Sequence, residues 1–238
     1  MFSVIFPGQG SQSVGMTKEL YDNFAYVKDL FKQADDVLGY SISKIILEGP
    51  KEDLDLTTNT QPAIFLASYV IFEMIKKESN INLNEAKYFA GHSLGEYSAL
   101  ATSGSLDFKD AIILLSQRGK AMQTAVPKGA GGMVAVLGVG IEEINNLLEK
   151  NLNNYKCYIA NDNSKGQIVL SGFNSDIDKF IETLKLKKIK NIKLPVSAPF
   201  HCKLMDKATS IMKDKINNAN FEIPKNVIIS NVTGSETQ

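Results

Sequence analysis

The apolar and polar positions of the chain fall into short runs of two different periods. Residues 2–6 are an apolar run that predicts a buried strand opening the fold, closed by the turn-forming stretch Pro7-Gly8-Gln9-Gly10-Ser11-Gln12. Over residues 25–38 the apolar side chains Val27, Leu30, Phe31, Ala34, Val37 and Leu38 recur at three- and four-residue intervals, which is one face of a helix. Residues 42–47 predict a further helical turn that Gly49-Pro50 ends. Residues 61–77 are apolar almost all round, so a helix there is expected to lie buried beside a sheet, with Thr60 as its N-cap and Pro62 in its first turn. Tyr88-Phe89-Ala90 predicts a strand and residues 96–101 a helix. A second helix, capped by Asp107 and running to about Ala125, is expected to pack through Ile112, Ile113, Leu115, Gly119 and Met122.

From Val126 the character changes. Residues 127–132 are a Gly-rich linker, followed by a predicted strand (133–139), helix (141–152), strand (157–160), turn (163–166), strand (167–171), helix (174–186) and strand (191–196). That is the β-α-β-β-α-β order of the ferredoxin-like unit. The expected architecture is therefore an α/β body formed by residues 1–126 and 197–238, carrying an inserted ferredoxin-like α+β subdomain at 127–196. A cleft between them is the expected substrate site. Near the end, residues 226–232 read as a core strand.

Composition narrows the function class. With 26 basic and 26 acidic residues the formal net charge is zero, which argues against nucleic acid as the main partner. No apolar run is long enough to span a bilayer, and the first residues lack a basic leader, so a cytoplasmic protein without a membrane partner is expected. Cys157 and Cys202 have neither metal nor disulfide spacing, so no metal is expected.

Candidate chemistry centres on Gly91-His92-Ser93-Leu94-Gly95. This is a G-x-S-x-G pattern between a predicted strand and a predicted helix, the context of a nucleophile elbow. Such a turn strains the serine backbone, exposes its hydroxyl and sets the next N–H, that of Leu94, at a helix start where an oxyanion would sit. The two glycines leave room for strand and helix to approach. Gln9, flanked by glycines in the loop after the first strand, is either a second backbone oxyanion donor or part of an ordinary turn. A serine needs a base, and the chain has two histidines. His92 adjoins the serine and should point away from its hydroxyl; His201, in a loop beyond a strand, is the candidate base. Arg118 stands in a mostly apolar helix, either as a surface residue or as an inward grip for a carboxylate. Gln61 is either structural or within reach of the site. The lysines at 185, 187, 188, 190 and 193 are either a solvated face or an attractor of an acidic partner or a nucleotide phosphate.

These motifs in this order resemble the malonyl-CoA:acyl carrier protein transacylase family. They are Phe6-Pro7-Gly8-Gln9-Gly10-Ser11-Gln12, Thr60-Gln61-Pro62-Ala63, the elbow continued through Glu96-Tyr97-Ser98-Ala99, Arg118-Gly119-Lys120-Ala121-Met122-Gln123 and Pro195-Val196-Ser197-Ala198-Pro199-Phe200-His201. The resemblance implies an α/β-hydrolase-like core with a ferredoxin-like subdomain. It implies ping-pong transfer of malonyl from coenzyme A to the phosphopantetheine thiol of acyl carrier protein, within fatty acid biosynthesis, without a cofactor; a monomer is expected. It also implies roles: Ser93 acylated, His201 the base, Gln9 and Leu94 the oxyanion donors, and Arg118 the malonyl carboxylate ligand. Phe200 either narrows the space for an α-substituent or simply packs. One departure stands out: the family continues through a further helical segment and strand and uses a downstream carbonyl to orient its histidine, and the strand expected at 226–232 would leave an open sheet edge. A serine esterase or thioesterase, and an inactive truncated remnant that binds acyl carrier protein, are the alternatives.

Overall fold

A computed structural model describes residues 1–238 except Lys128, Ser197 and Gln238. Its elements, in chain order, are β1 (Ser3–Phe6), α1 (Lys18–Asn23), α2 (Ala25–Leu38), α3 (Ile42–Glu48), α4 (Lys51–Leu54), α5 (Thr57–Glu78), β2 (Tyr88–Gly91), α6 (Gly95–Thr102), α7 (Phe108–Thr124), β3 (Gly131–Leu137), α8 (Ile141–Lys150), β4 (Cys157–Ser164), β5 (Gln167–Phe173), α9 (Asn174–Leu186), β6 (Lys190–Lys193), α10 (Asp206–Asn217), β7 (Val227–Ile229) and β8 (Glu236–Thr237). The chain is mixed α/β, with two sheets in two compact units: Met1–Lys120 with Asp214–Gln238, and Ala121–Lys213. No helix among the described residues is long and apolar enough to cross a membrane.

The larger unit carries a sheet of order β1-β2-β7-β8, in which β1, β2 and β7 run parallel and β8 returns antiparallel to β7. The first strand is not buried as its apolar run predicts. It lies at the edge of the sheet, so Phe6 turns into the core at 4% exposure while Ile5, on the other face, is 74% exposed. Phe6 packs there with Phe72, Phe89, Ala99 and Ile228. The buried helix expected from residue 61 begins four residues earlier, at Thr57. Thr60 is not its cap: its hydroxyl donates to the carbonyls of Leu54 (2.6 Å) and Leu56 (3.0 Å), inside the first turn, and Leu56 is the capping residue. Pro62 then sits within the helix rather than at its start. The Asp107 cap forms as expected, with its Oδ1 accepting the Lys109 N–H at 2.7 Å.

The strand expected at 226–232 is shortened to Val227–Ile229. Asn226 is drawn aside by bonds from its Nδ2 to the carbonyls of Asn84 and Ala86, at 3.1 and 3.3 Å. Beyond Ile229 the chain turns, with the Gly234 N–H on the Ser230 carbonyl at 2.9 Å, and β8 covers the β7 edge opposite Ile228 and Ile229.

The smaller unit has the order β3-α8-β4-β5-α9-β6 around an antiparallel sheet β4-β5-β3-β6. Val134, Val136, Ile168 and Leu170 from the sheet pack on Ile144, Leu147, Ile177, Phe180 and Leu184 from α8 and α9. The Gly-rich stretch read as linker is partly strand: Gly131 and Gly132 already pair with Phe173 and Gly172. Lys128 of that stretch lies outside the described residues, as does Ser197 at the expected second boundary. This unit extends to Lys213, past the expected 196, because the next residues are fastened to it. Ser171 Oγ donates to the Phe200 carbonyl at 2.5 Å, and Pro199 lies so close to Gly131 that a Cβ there would meet its Cδ at 2.2 Å. Both cysteines are free thiols, and burial pushes Cys157 up to about 12.

Candidate active site

The elbow has the geometry its motif requires. β2 ends at Gly91, α6 begins at Gly95, and Ser93 between them takes a left-handed backbone conformation, φ 54°. The two glycines are needed for space. A Cβ on Gly91 would lie 1.9 Å from the Gly95 carbonyl carbon, and one on Gly95 would lie 2.6 Å from the Phe6 carbonyl oxygen. β1, β2 and α6 thus meet at backbone contact, which sets the loop after β1 beside the elbow. Gln9 in that loop donates its Nε2–H to Thr57 Oγ1 at 3.3 Å. Among the described residues, the backbone N–H groups of Gln9 and Leu94 have no protein acceptor.

Arg118, on α7, points inward to the elbow rather than out to solvent. Its Nη2 donates to Ser93 Oγ at 3.0 Å and its Nη1 to Gln61 Oε1 at 2.7 Å. Gln61, in the first turns of α5, is 1% exposed and so fixes the guanidinium from beneath. Among the described residues these bonds engage two of the five guanidinium N–H groups, and the fork geometry suits a planar anion. The Tyr97 ring lies 5.9 Å from the guanidinium carbon. Burial lowers the Arg118 pKa from its usual value, opposed by Tyr97 and Glu96. The same burial raises Glu96, opposed by hydrogen bonding to Asn231 and by the charge of Arg118. Three distant stretches, at 61, 93 and 118, are therefore brought together in the larger unit.

His92 turns to Gly8: a Cβ on Gly8 would lie 2.5 Å from its Nδ1. The other histidine, His201, lies in the smaller unit with a left-handed backbone, φ 57°, between buried Phe200 and Cys202, whose Sγ bonds the Pro199 carbonyl at 3.1 Å. Of the lysine run, Lys185 pairs with Glu182 at 2.8 Å and Lys193 with Asp178 at 2.6 Å, both exposed.

Two residues at the elbow escaped the sequence reading as site residues. Asn231 accepts the Ser93 N–H on its Oδ1 at 2.7 Å, and Glu96 accepts the Asn231 N–H at 3.3 Å. Their signal was positional. Asn231 falls near the end of the strand expected at 226–232, and because β7 stops at Ile229 it lies in the loop at the carboxyl edge of the sheet, where functional loops gather.

The chain matches the model of the acyl transferase domain family over residues 3–238. It is 39% identical over 232 residues to the malonyl CoA-acyl carrier protein transacylase of Haemophilus influenzae, spanning 97% of this chain and 74% of that protein. To the enzyme of the same name from Bacillus subtilis it is 41% identical over 231 residues, spanning 96% and 72%. Among solved structures, a malonyl-transacylase in complex with its type II PKS acyl-carrier protein aligns with a TM-score of 0.93 at 36% identity, covering all of this chain (100%) and 76% of that one.

Proposed function

The chain belongs to the acyl transferase domain family, and we propose that it transfers a malonyl group from malonyl-CoA to the phosphopantetheine thiol of acyl carrier protein, in the cytoplasm and for fatty acid biosynthesis. The observation that carries this reading is the 3.0 Å contact from Arg118 Nη2 to Ser93 Oγ. A fixed cation at the hydroxyl of an acyl-accepting serine suits an acyl group that ends in a carboxylate a single methylene away from the reacting carbonyl. A plain esterase has no use for it.

The steps follow from the groups present. Ser93 Oγ adds to the thioester carbonyl as His201 takes its proton. The oxyanion is received by the N–H groups of Gln9 and Leu94, which have no protein acceptor among the described residues, and this supports that role. Collapse breaks the C–S bond, and the thiolate of coenzyme A leaves with the proton from His201. The pantetheine thiol then gives its proton to His201 and attacks the seryl ester; collapse breaks the ester C–O bond, His201 returns the proton to Ser93 Oγ, and malonyl leaves on the pantetheine sulfur. His201 is assigned by elimination, because the only other histidine is turned to Gly8. The thioester is already activated, so no resident cofactor is assigned. Phe200 is assigned to bounding the acyl pocket. We likewise read the larger unit as an α/β-hydrolase-like core and the smaller, from its β-α-β-β-α-β order, as a ferredoxin-like subdomain.

The test is mass spectrometry of the intact protein after mixing with malonyl-CoA, then with holo acyl carrier protein. A malonyl ester on Ser93 that discharges to the carrier is expected. Release of free malonate as fast as coenzyme A, with or without the carrier, would instead make the protein a hydrolase.

A further inference from the structure

Asn231 makes three bonds at the elbow, and together they do something that none does alone. Its Nδ2 donates to the Gly91 carbonyl, at 2.5 Å, and its Oδ1 accepts the Ser93 N–H, at 2.7 Å. The amide orientation is fixed by these partners, since a flipped amide would set N–H against N–H and oxygen against oxygen. The register of β2 on β7 pairs Tyr88 with Val227, Phe89 with Ile228 and Ala90 with Ile229. Continued by two residues, it would set Asn231 opposite His92. In a parallel ladder, the residue opposite His92 bonds the carbonyl of the preceding residue and the N–H of the following one, here Gly91 and Ser93. The backbone of β7 has already turned away, and the carboxamide supplies the missing peptide group. The Asn231 main-chain N–H, freed from the ladder, is held instead by Glu96 Oε2 at 3.3 Å.

We infer that Asn231 is a positioning residue for Ser93: its carboxamide extends the sheet by one peptide link and thereby holds the left-handed serine backbone in the orientation that presents Oγ. This deepens the transferase reading and rests on Ser93 being the acylated residue. Ser93 is at φ 54°, where a non-glycine backbone is strained, so it stays there only if its neighbours over-determine it. Asn231 bonds the N–H of Ser93 and the carbonyl of Gly91, main-chain groups that lie beyond the last β2–β7 register pair, Ala90 with Ile229.

The experiment compares wild type, Asn231→Ala and Asn231→Asp in two reactions. One is single-turnover malonylation of Ser93 by malonyl-CoA; the other is labelling of Ser93 by a fluorophosphonate, which needs the nucleophile but not the malonyl site. Thermal melting is recorded alongside. Asn231→Ala is expected to slow both reactions about 10- to 100-fold while the KM for malonyl-CoA stays within about twofold. Asn231→Asp gives a readout that a merely structural role would not move. Its carboxylate can accept from Ser93 but not donate to Gly91, whereas its neutral acid can do both. Its rate relative to wild type should therefore be low at alkaline pH and climb as pH falls. Labelling of Asn231→Ala at the wild-type rate would overturn the proposal, and so would an Asp variant whose pH profile parallels that of wild type. If the Ala variant does not fold, the pH profile of the Asp variant decides. A wild-type protein that takes the fluorophosphonate at Ser93 but no malonyl would sink the transferase reading and leave the Asn231 comparison standing on the fluorophosphonate rates. One that takes neither reagent would overturn both.

Discussion

Replacing Arg118 by Ala separates two contributions that the geometry superimposes. The guanidinium donates to Ser93 Oγ at 3.0 Å and to Gln61 Oε1 at 2.7 Å, and both bonds are lost whatever the acyl group. A substrate carboxylate would lose its own partner as well, and only malonyl has one. Truncating one side of a desolvated, hydrogen-bonded charge pair costs about 2–5 kcal/mol. The site is desolvated enough for burial to dominate the Arg118 pKa, so a value near the middle of that range applies, about 3 kcal/mol. At about 1.4 kcal/mol per decade this is a loss of roughly 100-fold in kcat/KM for malonyl-CoA beyond any loss for acetyl-CoA. The measured quantity is therefore the ratio of kcat/KM for the two donors, taken from initial rates of thiol release in wild type and variant. The contribution through Ser93 and Gln61 cancels in that ratio, and the carboxylate contribution does not. Arg118→Lys should fall between the two, because it keeps the charge but loses the fork that engages Gln61 and an anion together. If Arg118→Ala slows malonyl and acetyl transfer equally, the residue orders the serine and does not read the carboxylate, and the specificity argument fails.

Two further outcomes follow from the same region. A Cβ on Gly119 would lie 2.6 Å from the Thr57 carbonyl oxygen and 2.8 Å from the Thr58 Cα, both backbone atoms of α5 that no rotamer change can move. Gly119→Ala should thus destabilise the protein by about 1–3 kcal/mol and displace the adjacent Arg118, lowering the malonyl-to-acetyl ratio; a wild-type urea midpoint would refute this. Glu96, raised from its ordinary 4.5 chiefly by burial, gives a sign that can be checked. Its acid is held more readily in the folded state than in the unfolded one, so its ionisation costs stability as pH rises from 4.5 through the raised value. Glu96→Gln removes that ionisation and should gain melting temperature relative to wild type across this window, levelling off above it. A relative loss as pH rises would show that Asn231 and Arg118 outweigh desolvation.

What was legible in the sequence and what was not divides along a physical line. The elbow could be read because its requirements are local. Gly91, Ser93 and Gly95 are close in sequence, and the backbone contacts that exclude a Cβ at the two glycines are made by the same few residues and the end of β1. The smaller unit was legible for a similar reason: most of its six elements are long enough to show their period, and the errors are confined to element ends such as Gly131 and Gly132 at the start of β3 and Lys150 at the end of α8. Period fails where burial depends on a distant partner. The run at residues 2–6 is as apolar as a central strand, yet whether a strand is central is decided by which others join the sheet, and Ile5 is left 74% exposed. The start of α5 was missed because Thr60 looks like a cap and instead bonds back to Leu54 and Leu56, within a helix stabilised by packing along its whole length.

Asn231 shows the limit most clearly. In sequence it falls inside the strand expected at 226–232, which conceals that β7 stops at Ile229 and leaves Asn231 in the turn beyond it. Its importance lies in register: only when β7 is aligned on β2 does position 231 fall opposite His92, where a peptide group is needed and the turning backbone cannot supply it. A sequence specifies such a residue through the length of a strand more than 130 positions away from the serine it supports, |i−j| being 138 for the bond to Ser93. Shortening the Ser230–Gly234 turn should therefore act like Asn231→Ala on the labelling rate of Ser93 even with position 231 unchanged, because it moves the carboxamide out of register. Extending the turn beyond Val232, on the β8 side, should leave that rate within about twofold of wild type. Equal loss from both changes would mean that the whole hairpin, and not the single amide, holds the elbow.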